Sequence, residues 1–260
     1  NWEEAIISAS RIINDSTTYK LMSALNTNSQ GISDYENMWI NDVGSEIIWK
    51  VAFSKEYPGG ALGAPFYANT EGKSRHEYIP SKWVLDLYDQ TADARYNIFF
   101  QEQTTAYAHA LSYPLLKKYT GNPALFTGTV TNFTNMPKVF RLSEIYLLRA
   151  EAYLETNQEE RARQDLRTLM RSRTTRMYDL SDVRQALRNE RVRELYMEGH
   201  RFYDLKRWGE GFQRTPQPHT TSPVNGLIKN ATDVFFTWPI PSHELDIPGS
   251  QIVGNPSNLR

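Results

Sequence analysis

The sequence predicts a mainly α-helical fold, in which helical hairpins similar to tetratricopeptide (TPR) pairs support a loop-rich region with a few short strands. Two apolar patterns with helical spacing lie between residues 140 and 173, and the turn signal Asn157-Gln158 separates them. Small residues in the first pattern, Ala150 and Ala152, allow two helices to approach closely. Residues 54–80 are interrupted by proline and glycine, which forbid regular structure there.

The first elements are predicted to be a helix, an irregular segment and a strand. Residues 2–14 carry apolar side chains at helical spacing, and Asn14-Asp15-Ser16 ends that helix. Residues 16–45 are polar and show no regular pattern. The run from Glu46 to Phe53 is apolar and rich in strand-forming residues, so it is predicted to be a strand.

The later elements are mostly helical. Ser81 is the expected N-cap of a helix that follows the loop. Residues 96–140 are aromatic and poorly periodic, and no element is assigned to them. A third helix after the hairpin is expected to begin at Ser181 and to reach Phe202, and the chain beyond Gly209 is expected to be irregular.

Length and composition exclude several classes of protein. The 260 residues suffice for a sizeable core, and a net charge of −1 gives no basic excess that would favour nucleic acid. Cysteine is absent, which excludes disulfides and thiolate sites within this chain, and the histidines lack the spacing of a helical zinc site. No apolar run approaches the roughly 20 residues of a membrane span. Because the chain opens on Asn1-Trp2-Glu3-Glu4 without a signal peptide, we expect it to be a portion of a longer protein.

Aromatic residues in and near the loop are the best candidates for ligand binding. Rings on a loop shaped by proline and glycine can stack on sugar rings or on peptide side chains, at a low entropic cost. The alternative is that the rings fold inward and anchor the loop. The candidates are Tyr57, Phe66 and Tyr67, followed by Trp39 and Tyr78.

A dense charged pattern occupies the third predicted helix and the residues after it. Glu190, Glu194 and Glu198 recur every four residues and would share one helix face. Two such carboxyls could serve as the acid and base of a glycoside hydrolase. Interleaved arginines lower carboxyl pKa values, however, and favour a structural ion network. Its predicted members are Glu190, Arg191, Glu194, Glu198, Arg201, Asp204 and Arg207.

Several of these motifs occur together in an order that resembles the SusD/RagB family of nutrient-binding lipoproteins from the surface of Bacteroidetes. The motifs are Glu46-Ile47-Ile48-Trp49, Asp93-Ala94-Arg95, Arg141-Leu142-Ser143-Glu144, Arg171-Ser172-Arg173, Glu190-Arg191, Glu198-Gly199-His200-Arg201-Phe202-Tyr203-Asp204-Leu205-Lys206-Arg207-Trp208-Gly209, Trp238-Pro239-Ile240-Pro241 and Asn255-Pro256. The similarity covers most of the chain.

The resemblance implies a non-catalytic protein that binds oligosaccharide, or peptide in the RagB branch. No cofactor and no metal-ligating residues are predicted. The resemblance also implies an outer-membrane, cell-surface location through a lipidated N-terminal cysteine that this chain lacks, and partnership with a SusC-like TonB-dependent transporter. Residues 1–260 would then be the C-terminal portion of one SusD-like domain. Its expected segments are a hairpin helix (1–15), a loop-rich ligand region (16–139), a helical core (140–209) and an irregular tail (210–260). A scaffold that binds only the transporter is a further alternative.

Overall fold

A computed structural model describes residues 1–67, 77–104, 111–219 and 228–258. Helices dominate these residues, with a few short strands, as the sequence predicts. The structure forms two compact units, Asn1–Leu195 and Tyr196–Arg260, which are described separately below. The division into four segments within one domain stays a prediction. None of the described helices is both long and apolar enough to cross a lipid bilayer.

The first unit contains seven helices and four strands within its described residues. The helices are α1 (Trp2–Asn14), α2 (Asp34–Asn41), α3 (Lys82–Asp86), α4 (Ala94–Phe99), α5 (Leu142–Glu155), α6 (Glu159–Arg171) and α7 (Val183–Leu195). The strands are β1 (Ile47–Lys50), β2 (Phe100–Thr104), β3 (Ser112–Leu116) and β4 (Lys138–Arg141). β1 pairs with β4, and β2 pairs with β3, both in antiparallel fashion.

The hairpin of α5 and α6 is confirmed and forms the centre of the helical core. Asn157 turns the chain between the two helices with a φ of 57°. The small side chains Ala150 and Ala162 are fully buried where the helices meet, beside Leu166 and Leu169. α7 packs on both helices, and α1 packs along α5. This packing buries the apolar stripe of each helix, which supplies most of the stability of an amphipathic helix.

Two predictions about the first unit need correction. Residues 16–45 are not irregular throughout, because they contain α2, whose first turn is capped by the Ser33 hydroxyl accepting from the Glu36 amide at 3.1 Å. The predicted strand from Glu46 to Phe53 is shorter, and only Ile47–Lys50 pairs in β1. The β1–β4 ladder also has an irregular register at Trp49.

The third helix also differs from the prediction. α7 ends at Leu195, and Met197 and Gly199 then take positive φ angles, so a turn separates Phe202 from α7. Asp182, and not Ser181, supplies the cap, because its carboxylate accepts from the Gln185 amide at 3.0 Å. Ser181 instead bonds to Asp179.

The second unit consists of short elements. Among its described residues they are α8 (Arg201–Trp208), β5 (Phe212–Gln213), β6 (Ile228–Lys229) and α9 (Ser242–Leu245), with 3-10 turns at Val234–Phe236 and Pro256–Asn258. The Asn258 side chain bonds to both backbone groups of Ile240, and Asn255 donates to the Trp238 carbonyl. These bonds give the Trp238-Pro239-Ile240-Pro241 motif a structural role within this unit.

Candidate functional site

The loop after β1 presents some of its rings to solvent and buries others. Tyr57 is 82% exposed and Tyr78 is 52% exposed, whereas Phe66 is half-buried. The Phe66 ring lies 5.5 Å from the Tyr78 ring and 6.2 Å from Tyr119. Both alternatives for these rings therefore occur, because Phe66 anchors the loop while Tyr57 and Tyr78 face outward. Binding by these residues stays a prediction.

Backbone contacts hold this loop against the rest of the first unit. The Gly63 amide donates to the Phe133 carbonyl at 3.1 Å. A Cβ at Gly63 would lie 1.7 Å from the Tyr119 carbonyl oxygen, so only glycine permits this close approach. The amides of Glu77 and Tyr78 both donate to the Pro65 carbonyl, which places Tyr78 beside Phe66. These contacts fix the positions of Phe66 and Tyr78, whereas the backbone bonds of Tyr57 are local ones to Ser54.

Tyr67 is built into the β2–β3 hairpin. Its hydroxyl donates to Gln101 Oε1 at 2.6 Å and accepts from Gln103 Nε2 at 2.7 Å. Its ring packs against Tyr113 and Leu115 of β3. Burial raises the pKa of Tyr67, and the bond from Gln103 opposes that rise. The phenol stays protonated at neutral pH and holds two amide side chains in place.

Trp39 does not lie at the surface, which corrects its inclusion among the stacking rings. Its side chain is 3% exposed, on the buried face of α2. The rings of Tyr35 and Phe99 meet it edge-on at 6.1 and 6.0 Å. The Lys118 ammonium group lies 4.1 Å from the centre of the Trp39 ring. The indole is a core residue, because burying so large a ring stabilises the fold more than exposing it would.

The charged pattern of α7 forms a buried ion network in the first unit. Glu194 Oε1 accepts from Tyr35 and from Nη1 of Arg141, at 3.1 and 3.0 Å. Glu194 Oε2 accepts from Arg95 Nη1 and Arg173 Nε, at 3.0 and 3.1 Å. These partners come from α2, α4, the end of β4 and the turn after α6, so one carboxylate connects five parts of the fold.

Charges balance in this network within the described residues. Arg95 also bonds to Glu190 at 2.7 Å and Asp93 at 2.8 Å, while Arg173 also bonds to Glu46 at 2.8 Å. Four carboxylates thereby meet four guanidinium groups: Glu46, Asp93, Glu190 and Glu194 with Arg95, Arg141, Arg173 and Arg193. These side chains are at most 3% exposed.

The geometry supports a structural role for Glu190 and Glu194. Burial raises the pKa of Glu194, but the charges of Arg173, Arg141 and Arg95 outweigh it and hold that pKa well below the usual range. A general acid of a glycoside hydrolase needs a raised pKa and access to substrate. Glu194 meets neither requirement, and the Glu190 side chain has no exposed surface.

The predicted membership of the network is only partly realised. Glu198 lies in the turn after α7, so it does not share the face of Glu190 and Glu194. Asp204 and Arg207 form their own pair at 2.8 Å in the second unit, where Arg201 opens α8. Arg191 is buried in α7. The members missed by the sequence analysis are Glu46, Asp93, Arg95, Arg141, Arg173 and Arg193, most of which stand in the motifs quoted above.

Comparisons with solved structures identify the fold. A SusD superfamily protein from Bacteroides thetaiotaomicron is 26% identical, with a TM-score of 0.76 over 98% of this chain and 56% of that one. A SusD superfamily protein from Bacteroides vulgatus is 23% identical, with a TM-score of 0.72 over 98% and 55%. Surface glycan-binding protein A from B. thetaiotaomicron is 21% identical, with a TM-score of 0.70 over 98% and 59%. The chain thus spans a little over half the length of these relatives.

A search of curated proteins finds no match. The model of the SusD family matches residues 91–256, which include α4 to α8, the β2–β3 hairpin and the Trp238-Pro239-Ile240-Pro241 motif. This match covers more than half of the 260 residues, and the solved structures agree with it in fold. The chain therefore belongs to the SusD family.

Proposed function

We propose that this chain is the oligosaccharide-binding part of a non-catalytic cell-surface protein, which delivers its ligand to a SusC-like TonB-dependent transporter in the outer membrane. Membership of the SusD family supports the proposal, as does the likeness to a protein described as surface glycan-binding. The single observation that carries it is the loop after β1. There Tyr57 and Tyr78 are open to solvent, and backbone bonds at Gly63 and Tyr78 hold the later part of the loop in place.

Ring and amide groups in this region suit saccharide chemistry. Exposed aromatic faces can stack on the apolar faces of pyranose rings. Side-chain amides both donate and accept hydrogen bonds, as sugar hydroxyls require, and Tyr67 holds two of them, Gln101 and Gln103, close to the loop. The net gain per hydrogen bond is modest because each replaces a bond to water. We therefore expect micromolar or weaker affinity for a short oligosaccharide.

A glycan array followed by calorimetry tests this proposal. Tyr57→Ala should weaken binding of the best oligosaccharide about fivefold, because one stacked ring contributes about 1 kcal/mol. Tyr203→Ala is a matched control, since Tyr203 is also a largely exposed tyrosine but lies in the second unit. Thermal melts should show both variants as folded as the parent chain. Parent-like affinity in Tyr57→Ala would place the binding surface elsewhere.

Peptide binding, as in the RagB branch, is the alternative function. A peptide library should therefore be screened alongside the glycan array. A peptide library that yields tighter ligands than any glycan would replace the saccharide proposal.

Hydrolysis by Glu190 and Glu194 receives no support from their buried geometry. Delivery to a transporter predicts co-purification with an outer-membrane TonB-dependent protein from the native host, and a repeated failure to co-purify would remove that part of the proposal.

A further inference from the structure

A groove in the first unit lies between the loop after α1 and the adjoining ends of α1, α5 and α6. Its volume is about 460 Å³, within the roughly 300–1,000 Å³ of ligand sites. α1 and α6 both pack on α5. The Ala24 amide donates to the Ser172 carbonyl at 2.8 Å, which brings the loop to the end of α6. The groove is therefore built from elements that are held together by the helical core.

Apolar side chains from three elements line this groove. Ile13 belongs to the last turn of α1, Leu21 to the loop and Leu142 to the first turn of α5. Leu142 is buried, and Leu21 packs against the hydrophobic core. Covering such a surface with an apolar group of a ligand is favourable, because it removes apolar area from water.

Polar groups of the groove can donate hydrogen bonds, and several of them have no partner within the described residues. Lys20 and Arg171 are exposed, and neither side chain forms a hydrogen bond or an ion pair with the described part of the chain. The hydroxyls of Tyr19 and Tyr146 bond to none of the described residues either. Burial raises the pKa of Tyr146, so its hydroxyl stays protonated and can donate. No aspartate or glutamate of the described ranges lines this groove, which therefore favours an anionic ligand.

The two cations come from different elements, Lys20 from the loop and Arg171 from the end of α6. Arg171 also lines an adjoining groove of about 550 Å³ that runs along α6. There Arg163 and Arg167 are both paired with Glu160. The surface thus continues past Arg171, which suits an extended segment of a larger molecule better than a small ligand.

We propose that this groove docks a segment of a partner protein in which an apolar side chain is flanked by carboxylates. The apolar side chain packs on Ile13, Leu21 and Leu142, and the carboxylates pair with Lys20 and Arg171. A neutral saccharide would leave both cations unpaired, and a nucleic-acid backbone would place no apolar group on the leucines. None of these residues belongs to the loop after β1, so the inference does not rest on the proposed function.

A peptide titration tests the chemistry of the occupant. The probe is the blocked peptide Ser-Glu-Phe-Glu-Ser, titrated by calorimetry into the whole 260-residue chain. We expect a dissociation constant of about 100 μM, because a short peptide on an open groove buries little area. Ser-Gln-Phe-Gln-Ser should bind about tenfold more weakly, since it cannot form the two ion pairs. Ser-Glu-Ala-Glu-Ser should also bind at least about tenfold more weakly, since it lacks the buried ring.

A pair of double variants tests the location. Lys20→Gln/Arg171→Gln should weaken binding of Ser-Glu-Phe-Glu-Ser about tenfold, to the level of the glutamine peptide. It should melt like the parent chain, because neither side chain has a partner among the described residues. Lys206→Gln/Arg214→Gln makes the same changes at exposed positions of the second unit and should bind the probe like the parent chain.

The outcomes separate this inference from its alternatives. Equal affinity for the glutamate and glutamine peptides, parent-like binding by the groove variant, or no binding of the probe at about 1 mM would each overturn the docking proposal. Tighter binding of a short oligonucleotide or of a uronate oligosaccharide at this groove would overturn the assignment to a protein segment. Tyr57→Ala should leave binding of the probe unchanged, so a failure here is distinguishable from a failure of the saccharide proposal.

Discussion

At the scale of single residues, Glu194 connects several elements of the first unit. Its carboxylate accepts bonds from three arginines and a tyrosine and has no exposed surface. Taking such ions out of water is costly, and the cost is offset only while every partner is present. Glu194 therefore specifies the arrangement of the surrounding elements.

We expect Glu194→Gln to destabilise the chain by about 3–5 kcal/mol, because it leaves one buried positive charge of the network without compensation. The melting temperature should fall by roughly 10 °C, measured by calorimetry or circular dichroism. Glu160→Gln is a matched control, since Glu160 also pairs with two arginines but its side chain is 68% exposed. It should melt like the parent chain. Equal melting of the two variants would show that the buried network does not hold the fold.

At the scale of elements, the sequence predicted the helices whose apolar residues follow a regular local pattern. α5 and α6 were predictable because their apolar residues recur with helical spacing and Asn157 interrupts them. α2 was missed because it has only eight residues, although Ser33 and Glu36 form a recognisable capping signal. The β2–β3 hairpin was missed because Gln101-Glu102-Gln103 and Pro114 do not resemble strand residues.

The cap of α2 can be tested on its own. Ser33→Ala removes the acceptor for the Glu36 amide and should cost about 1 kcal/mol, or about 3 °C in melting temperature. Ser8→Ala makes the same change at an exposed position of α1 and should not lower the melting temperature. If the two alanine variants melt alike, the Ser33 hydroxyl does not stabilise α2.

At the scale of the whole molecule, long-range pairing limited what the sequence could predict. Glu194 meets Arg95 across 99 residues of chain and Arg141 across 53. Periodicity identified Glu194 as part of a charged face but could not name these partners. The same limit applies to the candidate site. Composition located the loop rings, but Gln101 joins the candidate site only because the hairpin places it beside Tyr67.

The ion network also makes the stability of the chain depend on acid pH. The pKa of Glu194 is well below its value in an unfolded chain, which is about 4.3. Its contribution to stability is therefore fully present above that unfolded value and is lost as the pH falls towards the folded pKa. We expect the free energy of unfolding of the parent chain, from urea titrations, to fall between about pH 5 and pH 3.

Glu194→Gln should show a shallower fall over the same range, because residue 194 no longer takes up a proton on unfolding. Glu3→Gln, at an exposed position of α1, should retain the parent slope. Equal slopes for the parent chain and Glu194→Gln would mean that the carboxylate is not held ionised by its arginines.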